Sequence, residues 1–189
     1  MFVTVFTPTY NRAHTLERLF ESLKAQTSKK FEWLVVDDGS SDGTEALVKS
    51  LSAKSPFSVR YVVQENGGKH RAHNAAVKLA KGELIIILDS DDALLPNAVE
   101  GLVEEWCQIP VDQKSEFAGV LSHCEDQTGV LVGKEFENSG SGAYLFEIAL
   151  ITKELIGEKL PCYRTDVLRR YPFPCLAGNT EHVIEGVVW

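Results

Sequence analysis

The sequence is short of basic residues and of cysteines, and both shortages exclude classes of protein. Its 189 residues include 19 lysines and arginines against 27 acidic residues, which gives a net charge of −8. This balance argues against a surface that binds nucleic acid or anionic lipid. The four cysteines lack the C-x-x-C spacing of a zinc site and indicate no disulfide framework, so we expect a reduced, cytoplasmic setting.

Long apolar runs are also missing. The longest strongly apolar run, Leu84 to Leu88, is far shorter than the roughly 20 residues that a transmembrane helix needs. The first residues have a strand pattern and lack the charged start and cleavage site of a signal peptide. We therefore expect a cytoplasmic protein without a transmembrane segment in this chain, able to associate peripherally with the inner face of a membrane.

What the sequence does contain is a regular alternation of strand and helix patterns. Helical stripes separate the apolar segments; Thr15 is the expected N-cap of the first helix, and Pro96 suits the first turn of the fourth. This order predicts right-handed crossovers and a mostly parallel, Rossmann-like α/β sheet flanked by helices. The predicted strands are Val3–Thr7, Phe31–Val36, Val59–Gln64 and Leu84–Leu88.

The pattern loosens after Cys107. It predicts strands at Phe117–Ser122, Val130–Val132 and Leu160–Tyr163, a loop at Glu135–Gly142, a helix at Phe146–Ile156 and a last helix capped by Thr180. Neither a repeat nor a linker interrupts the chain, so we predict a single domain over residues 1–189. Because the sequence stops inside an apparent helix, we expect it to be truncated there.

Each of the four strands in the first half is followed by polar residues. The carboxyl ends of parallel strands meet at one edge of a sheet, where ligands of such folds bind. Side chains that are far apart in sequence should therefore form one polar site. The segments are Thr7–Arg12, Asp37–Thr44, Glu65–Arg71 and Asp89–Asp92.

The last of these segments packs carboxylates closely together. Asp89, Asp91 and Asp92 should repel one another unless a cation neutralises them, and Mg²⁺ or Mn²⁺ bound through carboxylates and phosphates would do so. Such an ion would also offset the repulsion between an acidic protein and a nucleotide. The alternative is a solvated acidic turn that caps the next helix.

The other segments offer contacts to a nucleotide, and each also has a structural alternative. Asp38 can accept a hydrogen bond from a base or a ribose, and Tyr10 can stack on a base or fill the floor of the crevice. Lys69 and Arg71 can pair with phosphate, or simply be solvated. Asp42 or Thr44 can cap the following helix.

Together these segments resemble the family 2 glycosyltransferases of the GT-A fold. The match consists of Pro8–Arg12, Asp37–Thr44, Asn66–Gly68 and Asp89–Asp92, in order and at strand ends. The resemblance implies a transferase that moves a sugar from a nucleotide-diphosphate sugar, often a UDP-sugar, to a glycan or lipid-linked acceptor. It implies Mn²⁺ or Mg²⁺, inversion, and a role in polysaccharide or cell-envelope glycan synthesis. It also implies that residues 1–189 form one GT-A catalytic domain, with residues 1–108 as its nucleotide-binding half and residues 109–189 as its acceptor-side half. The expected nucleotide-sugar contacts are Pro8, Thr9, Tyr10, Asn11, Asp38, Gly67, Lys69, Arg71 and Asp89, with Asp91 and Asp89 at the metal.

The chain departs from the family pattern in two places. Ala72-His73-Asn74 stands where an Ala-Arg-Asn run is usual, and the late acidic motif that supplies the general base is a looser match. Glu185 aligns best with that base, with Glu181 as the alternative. Without a working base, the chain would be a non-catalytic nucleotide-sugar-binding module. A nucleotidyltransferase is disfavoured because no Gly-rich, basic loop follows the first strand.

Overall fold

The computed structural model describes residues 2–133 and 158–174. Within them, strands and helices alternate as far as the fourth helix, and a short 3₁₀ turn at Lys114–Glu116 follows. The strands are β1 (Val3–Thr9), β2 (Phe31–Asp37), β3 (Ser58–Val63), β4 (Leu84–Ile87), β5 (Gly119–His123) and β6 (Lys159–Arg164). The helices are α1 (Ala13–Lys24), α2 (Thr44–Ala53), α3 (Lys69–Leu79), α4 (Ala98–Gln108) and α5 (Thr165–Arg170).

The strands form one six-stranded sheet in the order β3-β2-β1-β4-β6-β5. Strands β1 to β4 pair in parallel, and β1 lies alongside β2 from Val3 opposite Phe31 to Thr9 opposite Asp37. Strand β6 runs antiparallel to both β4 and β5. The predicted mostly parallel sheet is confirmed, and β5 and β6 extend it with residues from the second half of the chain.

Alternate side chains of the central strands point to opposite faces, as the two-residue period of a strand requires. On one face, Val5 and Trp33 pack with Leu19 and Phe20 of α1 in a core that α2 and α4 also cover. On the other face, Phe6 belongs to a second core that α3 and α5 cover. Because both faces are covered, β1 and β2 are buried along almost their whole length.

Two predicted helix starts are wrong. Helix α1 begins at Ala13, so Thr15 lies in the first turn, where its hydroxyl donates to the Arg12 carbonyl oxygen (3.0 Å). Helix α4 begins at Ala98, and Pro96 lies before it because its carbonyl oxygen accepts from the Thr27 N–H (2.8 Å). The Ala13 N–H at the start of α1 also donates to the Asp42 carboxylate. Both starts therefore involve contacts with a distant segment, Asp42 for α1 and Thr27 for α4, which the local sequence pattern does not reveal.

In the second half, the predicted strand at Val130–Val132 is reduced to a single bridge between Leu131 and Glu125. The predictions for Glu135–Gly142, Phe146–Ile156 and Thr180 lie outside the described residues. No helix within the described ranges is long and apolar enough to cross a membrane.

Candidate functional site

The loops after β1 and β2 are joined by hydrogen bonds into one surface. The Asp38 N–H donates to the Thr9 carbonyl oxygen (2.9 Å), and the Asn11 N–H donates to the Ser40 hydroxyl (2.8 Å). The Asn11 side-chain oxygen in turn accepts from the Ser41 N–H (2.9 Å). Asn11 adopts a positive φ of 52°, a conformation that asparagine tolerates better than most residues. These contacts hold the two predicted nucleotide-binding segments together.

Asp42 accepts hydrogen bonds from the first residues of two helices. Its carboxylate accepts from the Thr44 N–H (3.0 Å) at the start of α2 and from the Ala13 N–H (3.1 Å) at the start of α1. The Thr44 hydroxyl is the largest cause that lowers the pKa of Asp42, and these backbone donors add to it. Asp42 thus has the capping role that the sequence offered as an alternative.

Asp38 is buried and organises the loop after β3. One carboxylate oxygen accepts from the Gln64 side-chain amide (2.7 Å) and the Gly67 N–H (3.0 Å), and the other accepts from the Gly68 N–H (2.7 Å). Gly68 has a φ of 91°, which favours glycine. The Asp38 carboxylate therefore fixes the Gly67–Gly68 turn, which leads directly into α3.

Asp37 lies beside it and also has structural partners. It accepts from the Ser40 N–H (2.8 Å) and from the Tyr61 hydroxyl. Burial, and then this contact with Asp37, raise the pKa of Tyr61. The two neighbouring aspartates therefore fix different loops, Asp37 the turn after β2 and Asp38 the turn before α3.

The acidic cluster, defined as Asp89, Asp91 and Asp92, follows β4 at the same edge of the sheet. Lys69, the first residue of α3, places its ammonium group 3.0 Å from an Asp89 oxygen. Arg12, the N-cap of α1, places its guanidinium group 3.3 Å from an Asp91 oxygen. Burial, and then the nearby charges of Asp89 and Asp91, raise the pKa of Asp92. The structure thus brings carboxylates and cations from three elements together.

The acidic cluster suits a divalent ion for which the protein supplies only some of the ligands. Asp89 has one carboxylate oxygen, Oδ1, that is buried and accepts no hydrogen bond from the described residues. In residues 2–133 and 158–174, no three His, Cys, Asp or Glu side chains are arranged to hold a metal together. Mg²⁺ and Mn²⁺ typically take one or two protein carboxylates and complete their shell with water and substrate phosphates. The available oxygens fit that mode of binding.

The remaining predicted contacts lie around this cluster and the Asp38 loop. Thr9 is buried with its hydroxyl unpartnered among the described residues, whereas Tyr10 is 50% exposed. Arg71 is exposed, and its side chain lies directly over Gly67, where a Cβ would meet it at 2.4 Å. Glu181 and Glu185 lie outside the described residues, so both stay predictions.

The structure adds residues to the site that the expected contacts leave out, among them Arg12, Gln64 and Arg18, whose guanidinium group donates to the Asp91 carbonyl oxygen. Arg12 closes the first motif, but nothing in the local pattern indicates that it reaches Asp91. Gln64 ends the strand segment predicted before the Gly-Gly turn, yet its amide binds Asp38. A polar residue at the carboxyl end of a strand or at a helix N-cap was the available signal for Gln64 and Arg12.

Residues 4–114 match the protein family described as glycosyl transferase family 2. The chain belongs to this family. The matched range begins in β1, contains all four motifs and ends just after α4. The family 2 domain is 40% identical over 104 residues to the chondroitin synthase of Pasteurella multocida, a match that covers 55% of this chain and 11% of that protein.

Two solved structures with the same fold are complexes with a nucleotide sugar. S. aureus TarS, solved in complex with UDP-GlcNAc, has a TM-score of 0.69 and 24% identity, covering 92% of this chain and 49% of that one. A mannosyltransferase of Pyrobaculum calidifontis, solved with GDP-Man and Mn²⁺, has a TM-score of 0.66 and 24% identity, covering 93% and 48%. They establish the GT-A fold of this family 2 domain. The chain spans less than half the length of curated relatives that it matches.

Proposed function

We propose that this domain transfers a sugar from a nucleoside-diphosphate sugar, with UDP as the expected nucleotide, to a hydroxyl group of a glycan acceptor. The observation that carries the proposal is the meeting of the acidic cluster, Arg12 and Lys69 with the Asp38 loop at one edge of the sheet. This arrangement offers oxygen ligands for a cation and positive charge for phosphate at one edge of the sheet.

The donor and the metal are supported by the fold relatives and by the chemistry of the side chains. One relative binds UDP-GlcNAc, and another was solved with both GDP-Man and Mn²⁺. In this chain, Asp91 and Asp89 would hold Mn²⁺ or Mg²⁺, which acts as a Lewis acid on the leaving diphosphate. Lys69 and Arg12 can donate charge-assisted hydrogen bonds to phosphate oxygens.

The nucleoside end would lie against the loops after β1 and β2. Tyr10 exposes half of its surface there, and Thr9 beside it is buried, with its hydroxyl unpartnered among the described residues. Asp38 would support nucleotide binding mainly by fixing the Gly67–Gly68 turn. Glu185, or otherwise Glu181, would take the proton of the acceptor hydroxyl, and one direct displacement would invert the anomeric carbon.

The acceptor and the location belong to the same proposal. The similarity to a chondroitin synthase supports a growing glycan as acceptor. A nucleotide-sugar donor and an acidic surface fit a domain in the cytoplasm, and a lipid-linked acceptor would bring it to the inner face of a membrane. Residues 109–189 would then form the acceptor side.

A thermal-shift screen tests this function first. UDP and GDP are each added with Mn²⁺ and with EDTA, and donor hydrolysis is assayed for the nucleotide that binds. A ligand at about 100 times its Kd stabilises the native state by roughly 2.7 kcal/mol, which is easily measured. Metal-dependent binding together with hydrolysis supports an enzyme, and binding without turnover supports the binding module. The proposal is wrong if neither nucleotide binds.

Asp91→Asn is expected to remove the metal-dependent part of that stabilisation. Asparagine keeps the size of the side chain but loses the charge that attracts a divalent cation. Thermal shifts with UDP should then be equal in Mn²⁺ and in EDTA. Asp112→Asn is the matched control, because exposed Asp112 follows α4 at the opposite edge of the sheet. An undiminished Mn²⁺ effect in Asp91→Asn would exclude Asp91 as a ligand.

Asp38→Ala is expected to weaken UDP binding by roughly 1–3 kcal/mol, the range for leaving a buried hydrogen-bonding group without its partner. Its removal frees the Gly67 and Gly68 N–H groups and loosens the turn before α3. Calorimetric titration with UDP measures the loss. Asp38→Asn should lose less, since it keeps one accepting oxygen. UDP affinity equal to that of the wild type would remove the Asp38 loop from the nucleotide site.

A further inference from the structure

Two positively charged side chains contact the proposed metal ligands in this structure. The ammonium group of Lys69 contacts Asp89, and the guanidinium group of Arg12 contacts Asp91. The cations come from different elements, the first turn of α3 and the N-cap of α1. Both ion pairs are substantially exposed, with 42–53% of each side chain accessible. Solvent therefore keeps each pair weak and easily exchanged.

A divalent ion at the acidic cluster would compete with both cations. An ion with two charges attracts a carboxylate about twice as strongly as an ammonium or guanidinium group at the same distance, and it repels those groups. Once displaced, Lys69 loses its contact with Asp89 and Arg12 loses its contact with Asp91. A diphosphate at the same place supplies new ones, because phosphate oxygens are strong acceptors for both side chains.

We propose that Arg12 and Lys69 are positioning residues that exchange between the acidic cluster and the donor diphosphate, and thereby couple metal binding to nucleotide binding. Metal entry releases the two cations, and the diphosphate captures them. Each ligand therefore strengthens the other beyond their direct contact. The inference rests on the proposed function. It adds a role for Arg12 and Lys69, which are not ligands of the metal.

The coupling has a measurable form. The coupling factor is the Kd of UDP in EDTA divided by its Kd in saturating Mn²⁺, and linkage makes it equal to the effect of UDP on Mn²⁺ affinity. Couplings between bound ligands are typically about 5- to 150-fold. A cation that merely attracts the nucleotide changes both Kd values by the same factor and leaves the coupling factor unaltered. A cation that exchanges between the acidic cluster and the diphosphate raises the coupling factor, so only the removal of such a cation lowers it.

Calorimetric titrations of UDP into the wild type, Arg12→Gln, Lys69→Gln and the double variant test the exchange. GDP replaces UDP if the thermal-shift screen selects it. Lys24→Gln is the charge-matched control, because Lys24 pairs with Glu21 at the other end of α1, roughly 18 Å along the helix axis from Arg12. Complexation of Mn²⁺ by free UDP is the same in every titration and cancels between variants.

We expect each single variant to lower the coupling factor about two- to five-fold, the range that corresponds to exposed ion pairs. The double variant should show roughly the product of the two reductions, and Lys24→Gln should match the wild type. Coupling factors equal to that of the wild type in both single variants would overturn the exchange while leaving the proposed function intact. A wild-type coupling factor of one would instead overturn the metal-dependent donor site and the exchange together.

Discussion

Glu32→Ala is expected to lower the free energy of unfolding by roughly 3–5 kcal/mol, the cost of breaking a buried ion pair by removing one partner. Glu32 is 1% exposed in β2 and accepts from the Arg60 guanidinium group (3.0 Å). It also accepts from the Thr4 hydroxyl (2.8 Å) and the Lys81 N–H (2.8 Å). Alanine would leave three donors without their acceptor, and Arg60, whose side chain is 25% exposed, would keep an unpaired charge.

Urea unfolding of the wild type and the variant measures this loss. Glu45→Ala is the control, since the Glu45–Lys49 pair on α2 is exposed and such pairs contribute roughly 0–1 kcal/mol. Glu32 lies near the amino end of its strand, at the edge of the sheet opposite the candidate site. Folded Glu32→Ala protein should therefore bind UDP with Mn²⁺ as the wild type does. A loss below 1 kcal/mol would show that water or another donor set replaces the network.

The parallel part of the sheet was predictable because its signals are local. Apolar, β-branched segments such as Leu84–Ile87 alternate with helical stripes, and short crossovers permit few other arrangements. Strand β6 is different. A strand was predicted at Leu160–Tyr163, but its antiparallel pairing with β4 joins segments more than 70 residues apart. No local pattern specifies such a partner, so the antiparallel pairing of β6 could not be predicted from the sequence.

The candidate site divides in the same way. The rule that ligands bind at the carboxyl ends of strands correctly brought Asp38 and Asp89 to one edge. It did not reveal that the Asp38 carboxylate accepts from the Gly67 and Gly68 N–H groups, which depends on the path of the loop after β3. Nor did it pair Arg12 with Asp91, a contact across 79 residues. The periodicity of the sequence thus predicts where the site residues lie in the fold. Their hydrogen-bond and ion-pair partners depend on the paths of the loops, which the periodicity does not predict.

Glu185→Gln in the whole protein is expected to lower kcat by roughly 10²- to 10⁴-fold, the usual contribution of general base catalysis. The prediction rests on sequence, because Glu185 lies outside the described residues, in the late acidic segment where we expect the general base from the family resemblance. Glutamine keeps the size and hydrogen-bonding capacity of the side chain but cannot take the acceptor proton. A base acts on the acceptor in the transition state, so donor affinity should change little.

The measurements are kcat with the sugar donor and, separately, the Kd of UDP in Mn²⁺. Glu181→Gln is the matched control: the same substitution four residues earlier should leave kcat within a few-fold of the wild type. The opposite pattern, with Glu181→Gln inactive and Glu185→Gln active, would move the base to Glu181. Full activity of both variants would place the base outside this segment. Because Asp91→Asn acts on metal and nucleotide binding whereas Glu185→Gln acts on turnover, the two variants separate the donor site from the catalytic step.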